Sequence, residues 1–249
     1  PAIVAAAGPE MAGVAALLGA CLGYVVTGGL DWGIRYVASC MLTYTAGFVF
    51  QDLPVYRRRS FMPMVTACIA AVTTVLGNIA VSRQGVPLAA RLFLEILLSG
   101  GCVYFFSEAL SDRERTTERG EMERNISVVV LLACLLMTLS RIQLFGYLSV
   151  GRILCCLVIM VAAMCAGMFP GCAVGTVMGI AMDATITMAP FFTMAYALCG
   201  VVSGVFNRHG RLIFLLSFVG ANAAAVACAW SSGGRIESMY EVFVASVLF

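Results

Sequence analysis

Charge is scarce in this 249-residue sequence: 11% of residues are charged and 61% hydrophobic, where a soluble domain carries about a quarter charged residues. Lysine is missing altogether, so every basic side chain except His209, the only histidine, is arginine. These shortages exclude several function classes. So little charge cannot clothe a water-soluble surface, a net charge of +2 offers no basic field to nucleic acid, and one histidine rules out a His-rich metal cage. No CxxC, GxxxxGKS or HExxH spacing occurs, and no catalytic residue, metal ligand or cofactor site can be named. No long polar stretch interrupts the apolar runs, so residues 1–249 read as a single transmembrane domain. Residues 1–8 have neither an initiator methionine nor the charged start of a signal peptide. The last apolar run is still in progress at Phe249, and the expectation is a fragment of a larger protein.

What is present is apolar sequence in span-sized pieces. A helix needs about twenty apolar residues, or as few as about seventeen, to cross roughly 30 Å of hydrocarbon. On that basis the sequence predicts an all-α, polytopic membrane bundle of about ten spans: 11–27, 33–50, 61–81, 86–110, 126–140, 150–168, 171–188, 190–206, 212–230 and an incomplete 239–249. The 126–140 segment is short and can continue into the polar stretch before it, while 143–149 is placed at the interface. Pro170 and Pro190 mark tight turns, where a missing N–H costs least. The eleven cysteines lie mostly inside the apolar runs, where a thiol behaves as a small apolar side chain.

Arginine is concentrated in loops on one side of this arrangement: Arg57, Arg58 and Arg59, then Arg113, Arg115, Arg119 and Arg124, then Arg208 and Arg211. The opposite loops hold Arg83, Arg141 and Arg235, with Arg35 and Arg152 just inside adjoining span ends. Arginine excess marks the cytoplasmic face, so both ends of the chain are expected there. The lipid bilayer is the partner that composition itself implies.

Polar residues within the spans include Asn78, Arg91, Glu95, Asp183 and Asn222. Glu95 lies about nine residues into its span, and Arg91 is four residues earlier on the same helical face. Two such charges cost about 2.5–3.5 kcal/mol each on insertion scales, against roughly 0.3–0.6 returned by each large apolar residue. That helix needs its neighbours. Glu95 can serve a proton or ion path, which makes a small-solute transporter or channel the alternative function. The simpler role is an interhelical polar lock, with Glu95 protonated or paired to Arg91. Glycine spacing is more specific: Gly171, Gly175 and Gly179 form a double GxxxG, Gly200 and Gly204 a second motif, and Gly19 and Gly23 a third. A face without side chains lets two helix backbones approach closely.

In the second half, GCAVGTVMGIA (171–181), LCGVVSGVFNRHGR (198–211) and SMYEVFVASVLF (238–249) occur in order. Together they resemble the membrane-embedded region of the stage II sporulation protein E family, the sporulation phosphatases of endospore-forming bacteria. Weaker similarity runs through LLGACLGYVVTGG and RLFLEILLSGG, the segment that holds Glu95. The resemblance implies an anchoring, localising and self-associating membrane domain at the polar division septum. It also implies a tubulin-like division protein and an anti-anti-sigma factor as partners of the intact protein. A manganese- or magnesium-dependent serine/threonine phosphatase, which activates the forespore sigma factor, would lie outside this sequence, so none of its metal ligands can be assigned here.

Overall fold

The computed structural model describes residues 1–58, 60–80, 88–110, 118–144, 148–185, 190–230 and 237–249; the side chains of 27–32, 55, 57, 78–80, 88, 91, 118 and 119 lie outside the description. The described chain is almost entirely helical and packs as two compact units, Pro1–Leu131 and Leu132–Phe249.

The first unit contains α1 (Ala2–Ala7), α2 (Met11–Phe50), a one-turn 3-10 helix (Pro54–Arg57), α3 (Phe61–Ala80), α4 (Leu88–Ala109) and the first part of α5 (Glu118–Leu139). At 1.5 Å per residue the 40 residues of α2 would extend about 60 Å if straight. They do not. The rings of Tyr24 and Tyr36 stack with centroids 5.1 Å apart, although twelve residues of straight helix would separate them by about 18 Å. A Cβ built on Gly13 would lie 3.4 Å from the Tyr44 ring. The helix therefore doubles back on itself between Tyr24 and Tyr36. Gly33 is where its arms meet, because a Cβ there would stand 2.7 Å from the Tyr24 carbonyl oxygen. The two predicted spans 11–27 and 33–50 are thus the two arms of one hairpin. Beneath it, Ala5, Met62 and Val103 form a small core against which Ala2, Tyr56 and Phe61 pack. Burial there raises the Tyr56 phenol above its usual pKa.

The second unit contains the end of α5, a two-residue strand pair (β1, Gln143–Leu144; β2, Leu148–Ser149), α6 (Val150–Ala166), α7 (Met168–Asp183), α8 (Phe192–Val205), α9 (Arg211–Ala229) and α10 (Glu237–Leu248). Its fully buried side chains include Ile159, Met160, Met178, Phe192, Tyr196 and Phe218. Gly151 seats the first turn of α6 against the end of α5, since a Cβ there would be 2.3 Å from the Leu136 carbonyl oxygen.

Element boundaries depart from the sequence expectation at two points. The break between α6 and α7 is at Gly167, whose φ of 89° favours glycine, and Pro170 is absorbed into the first turn of α7 rather than standing in the turn itself. The predicted span at 126–140 begins earlier, at Glu118, so the polar run ERGEMERN is helical. Length also matters. Among the described residues three helical stretches are long and apolar enough to cross a membrane, Leu92–Ala109, Gly120–Leu139 and Arg211–Ala229. The apolar helices α6, α7 and α8 have 17, 16 and 14 residues, or about 21–26 Å, short of the roughly 30 Å hydrocarbon layer.

Candidate functional site: buried carboxylates and a glycine seam

A helix leaves its first N–H groups without partners, and away from water each must be satisfied by protein. Two carboxylates of the second unit do this for helices other than their own.

Asp183, the last residue of α7, turns back onto the start of α8. Its Oδ1 accepts the amides of Phe191 and Phe192 at 3.1 and 2.9 Å; its Oδ2 accepts the amide of Thr193 at 2.8 Å and the Thr193 hydroxyl at 2.5 Å. A carboxylate at this end of a helix is also favoured by the helix dipole. We expect Asp183→Ala to destabilise the protein by about 1–3 kcal/mol, the cost of leaving partly buried amides at a helix start unpaired, and Asp183→Asn by less. Thermal unfolding of the detergent-solubilised protein measures both.

Glu241, on α10, is fully buried. Its Oε1 accepts the amide of Ser149, the residue that precedes α6, at 3.1 Å, and lies 3.3 Å from Nη1 of Arg152. The same nitrogen is 4.0 Å from Glu237, one turn away on α10, and the guanidinium carbon sits 5.3 Å from the centre of the Phe192 ring. Arg152 is only 9% exposed, so both charges have left solvent, which is tolerable only because they meet each other and further donors. Beside them, Asn222 and Ser238 tie α9 to α10 through a hydrogen bond from the Ser238 hydroxyl to Asn222 Oδ1 at 3.1 Å and a longer one from Asn222 Nδ2 to the Ser238 carbonyl at 3.4 Å.

In the first unit Glu95 meets Arg35 of the α2 hairpin at 3.3 Å and accepts a hydrogen bond from Thr74 of α3. The Arg35 guanidinium also lies over the Tyr36 ring, 4.5 Å from its centre. Arg35, sixty positions away, is thus a partner of Glu95; the Arg91 side chain, the partner considered from sequence, lies outside the described residues. The residues assigned to polar locks are distributed over both units. Glu95 is in the first unit, Asp183 and Asn222 occupy separate places in the second, and the side chains of Asn78 and Arg91 lie outside the described residues.

The glycines divide in the same way. Gly171, Gly175 and Gly179 line the face of α7 toward α8, where added Cβ atoms would stand 2.8 Å from the Gly200 carbonyl oxygen, 2.3 Å from that of Tyr196 and 2.4 Å from Thr193 Cα. From the other side, Gly200 would meet the Gly171 carbonyl oxygen at 2.2 Å and Gly204 would meet Met168 Cα at 2.5 Å. These helices touch backbone to backbone. At Gly19 and Gly23, by contrast, a Cβ would meet no atom of the described residues within 4 Å. Among the basic residues, Arg58, Arg208 and Arg211 are exposed, whereas Arg59 and the side chain of Arg57 lie outside the description.

Arg35, Arg152, Ser149 and Glu241 were not singled out as site residues from sequence. Both arginines were counted as span-end charges, and Glu241 entered only within SMYEVFVASVLF. For Arg35, Arg152 and Glu241 the signal that would have found them is their charge within otherwise apolar helices; Ser149 carries no such signal. Chemically, the arrangement pairs and caps. Ser203 is buried and donates to the Cys199 carbonyl at 2.6 Å, while His209 is exposed and packs edge-on to Phe206, so the two do not make a nucleophile and base. Comparison with family models, with characterised proteins and with solved structures finds no match.

Proposed function

We propose that this chain is a membrane-embedded anchoring domain of about ten spans, both ends cytoplasmic, that localises and self-associates a sporulation serine/threonine phosphatase at the polar septum of an endospore-forming bacterium. In this reading the phosphatase domain, with its manganese or magnesium, and its contacts to a tubulin-like division protein and an anti-anti-sigma factor belong to the intact protein. The observation that carries the anchoring role is the engagement of Glu241 and Asp183 by the starts of neighbouring helices, which directs these intramembrane charges to holding helices together. Glu241 is also the glutamate of SMYEVFVASVLF, the strongest segment of the resemblance. Short helices such as α8 fit a span count near ten if the bilayer thins or flanking side chains reach for the interface. Reading the gene past the Phe249 codon tests the proposal: phosphatase sequence is expected there, and a stop codon within a few residues would contradict it.

A transporter working through Glu95 would need that carboxylate to exchange partners during its cycle. Because Glu95 is already held by Arg35 and Thr74, Glu95→Gln is expected to leave ion or solute leak in proteoliposomes unchanged.

A further inference from the structure

The second arm of α2 and the facing side of α3 enclose a row of hydroxyls. Two contacts fix the register of these antiparallel segments: Gly77 faces Arg35, with a Cβ there 2.7 Å from Arg35 Cδ, and Gly47 faces Met62 at 3.7 Å. Between these points Ser39 falls level with Thr73, and Thr43 with Thr66. All four are at least nine-tenths buried. Thr43 donates to the Ser39 carbonyl and Thr73 to those of Ile69 and Ala70, which leaves the oxygen of each able to accept. Ser39 Oγ and Thr66 Oγ1 have no hydrogen-bond partner among the described residues. Buried hydroxyls in that condition cost about 1–3 kcal/mol each, and two of them in one seam, on facing helices, with acceptors at both levels, have the donor and acceptor set of a site for bound water. The row starts one helical turn from Arg35 and so from the Arg35–Glu95–Thr74 cluster.

We propose that the seam between α2 and α3 holds ordered water, ligated by Ser39 and Thr66 and reaching toward Glu95. The site is a polar filament within the first unit, and it supplies the flexible hydrogen bonding that the apolar helices around it cannot. Cys40 is fully buried beside Ser39, and Met62 is buried one turn from Thr66; both are highly reactive toward hydroxyl radical. X-ray radiolysis of the whole protein in H2 18O generates radicals from water in place. The expected result is strong 18O incorporation at Cys40 and Met62, falling at least fivefold in Ser39→Ala/Thr66→Val. Cys155 and Met160, fully buried in the second unit, are the dry controls. Labelling of Cys40 and Met62 no greater than these controls would overturn the proposal and would mean that both hydroxyls turn onto their own helix carbonyls. Labelling unchanged by the double substitution would overturn the assignment of Ser39 and Thr66 as ligands. The measurement on the unsubstituted protein stands even where the variant is not recovered folded.

Discussion

Gly175→Val is expected to prevent stable assembly of the second unit. The added Cβ alone would sit 2.3 Å from the Tyr196 carbonyl oxygen and 2.8 Å from its carbon, and these are backbone atoms of α8 that cannot rotate away. To relieve the clash α7 and α8 would have to separate by more than 1 Å along their whole contact, because Gly171, Gly179, Gly200 and Gly204 close the same seam at similar distances. Overpacking a core costs about 1–3 kcal/mol where side chains can adjust. Here the loss of backbone-to-backbone dispersion along four turns adds to it, and the net marginal stability of a domain is only about 5–15 kcal/mol. The variant should show a strongly reduced yield of folded protein, and Gly175→Ala a lowered unfolding midpoint. Gly19→Leu is the control. It has the same GxxxG spacing in sequence but open space at its Cβ, and its midpoint should move by no more than about 0.5 kcal/mol equivalent.

The second large effect is expected from Arg152→Met. It would leave Glu241 fully buried, with the Ser149 amide and without its guanidinium. Removing one partner of a buried pair costs about 3–5 kcal/mol, whereas removing both is often close to neutral. Arg152→Met should therefore be the most damaging single charge substitution in the second unit. Glu241→Gln should cost less, because an amide oxygen can still accept from Ser149 and Glu237 remains near Arg152. The double variant Arg152→Met/Glu241→Gln should recover much of the stability lost by Arg152→Met. A double variant no more stable than Arg152→Met would mean that the guanidinium acts through some contact other than Glu241. Unfolding midpoints in one detergent decide the matter.

These two cases show what could be seen in the sequence and what could not. The glycine seam was legible because both of its motifs are local: residues four apart share a helix face whatever the rest of the fold does. That Gly171–Gly179 would meet Gly200 and Gly204, while a Cβ at Gly19 would meet no described atom within 4 Å, depends on which helices become neighbours, and spacing does not carry that. The helical class was likewise legible from the length and apolarity of the runs. Helix ends were less so. Proline at 170 suggested the turn, but proline is also at ease in a first helical turn, and Gly167 with its positive φ made the break instead.

Charge pairing across the fold was hidden for a related reason. The α2 hairpin delivers Arg35 to Glu95 from sixty positions away. Arg152 and Glu241 each stand near a helix start, where charge is ordinarily solvated. Burial at those points follows from the packing of α6 against α10, a contact between segments almost ninety residues apart. A carboxylate near one helix end and an arginine near another were visible; that they would close on each other was not.

The most direct test of the anchoring account is the location of residues 1–249 fused to a fluorescent protein in sporulating cells of an endospore-forming bacterium. The account predicts that the fusion resists carbonate extraction from membranes and gathers at the polar septum. A fusion that is membrane-bound but spread evenly around the cell, or one released by carbonate, would contradict it.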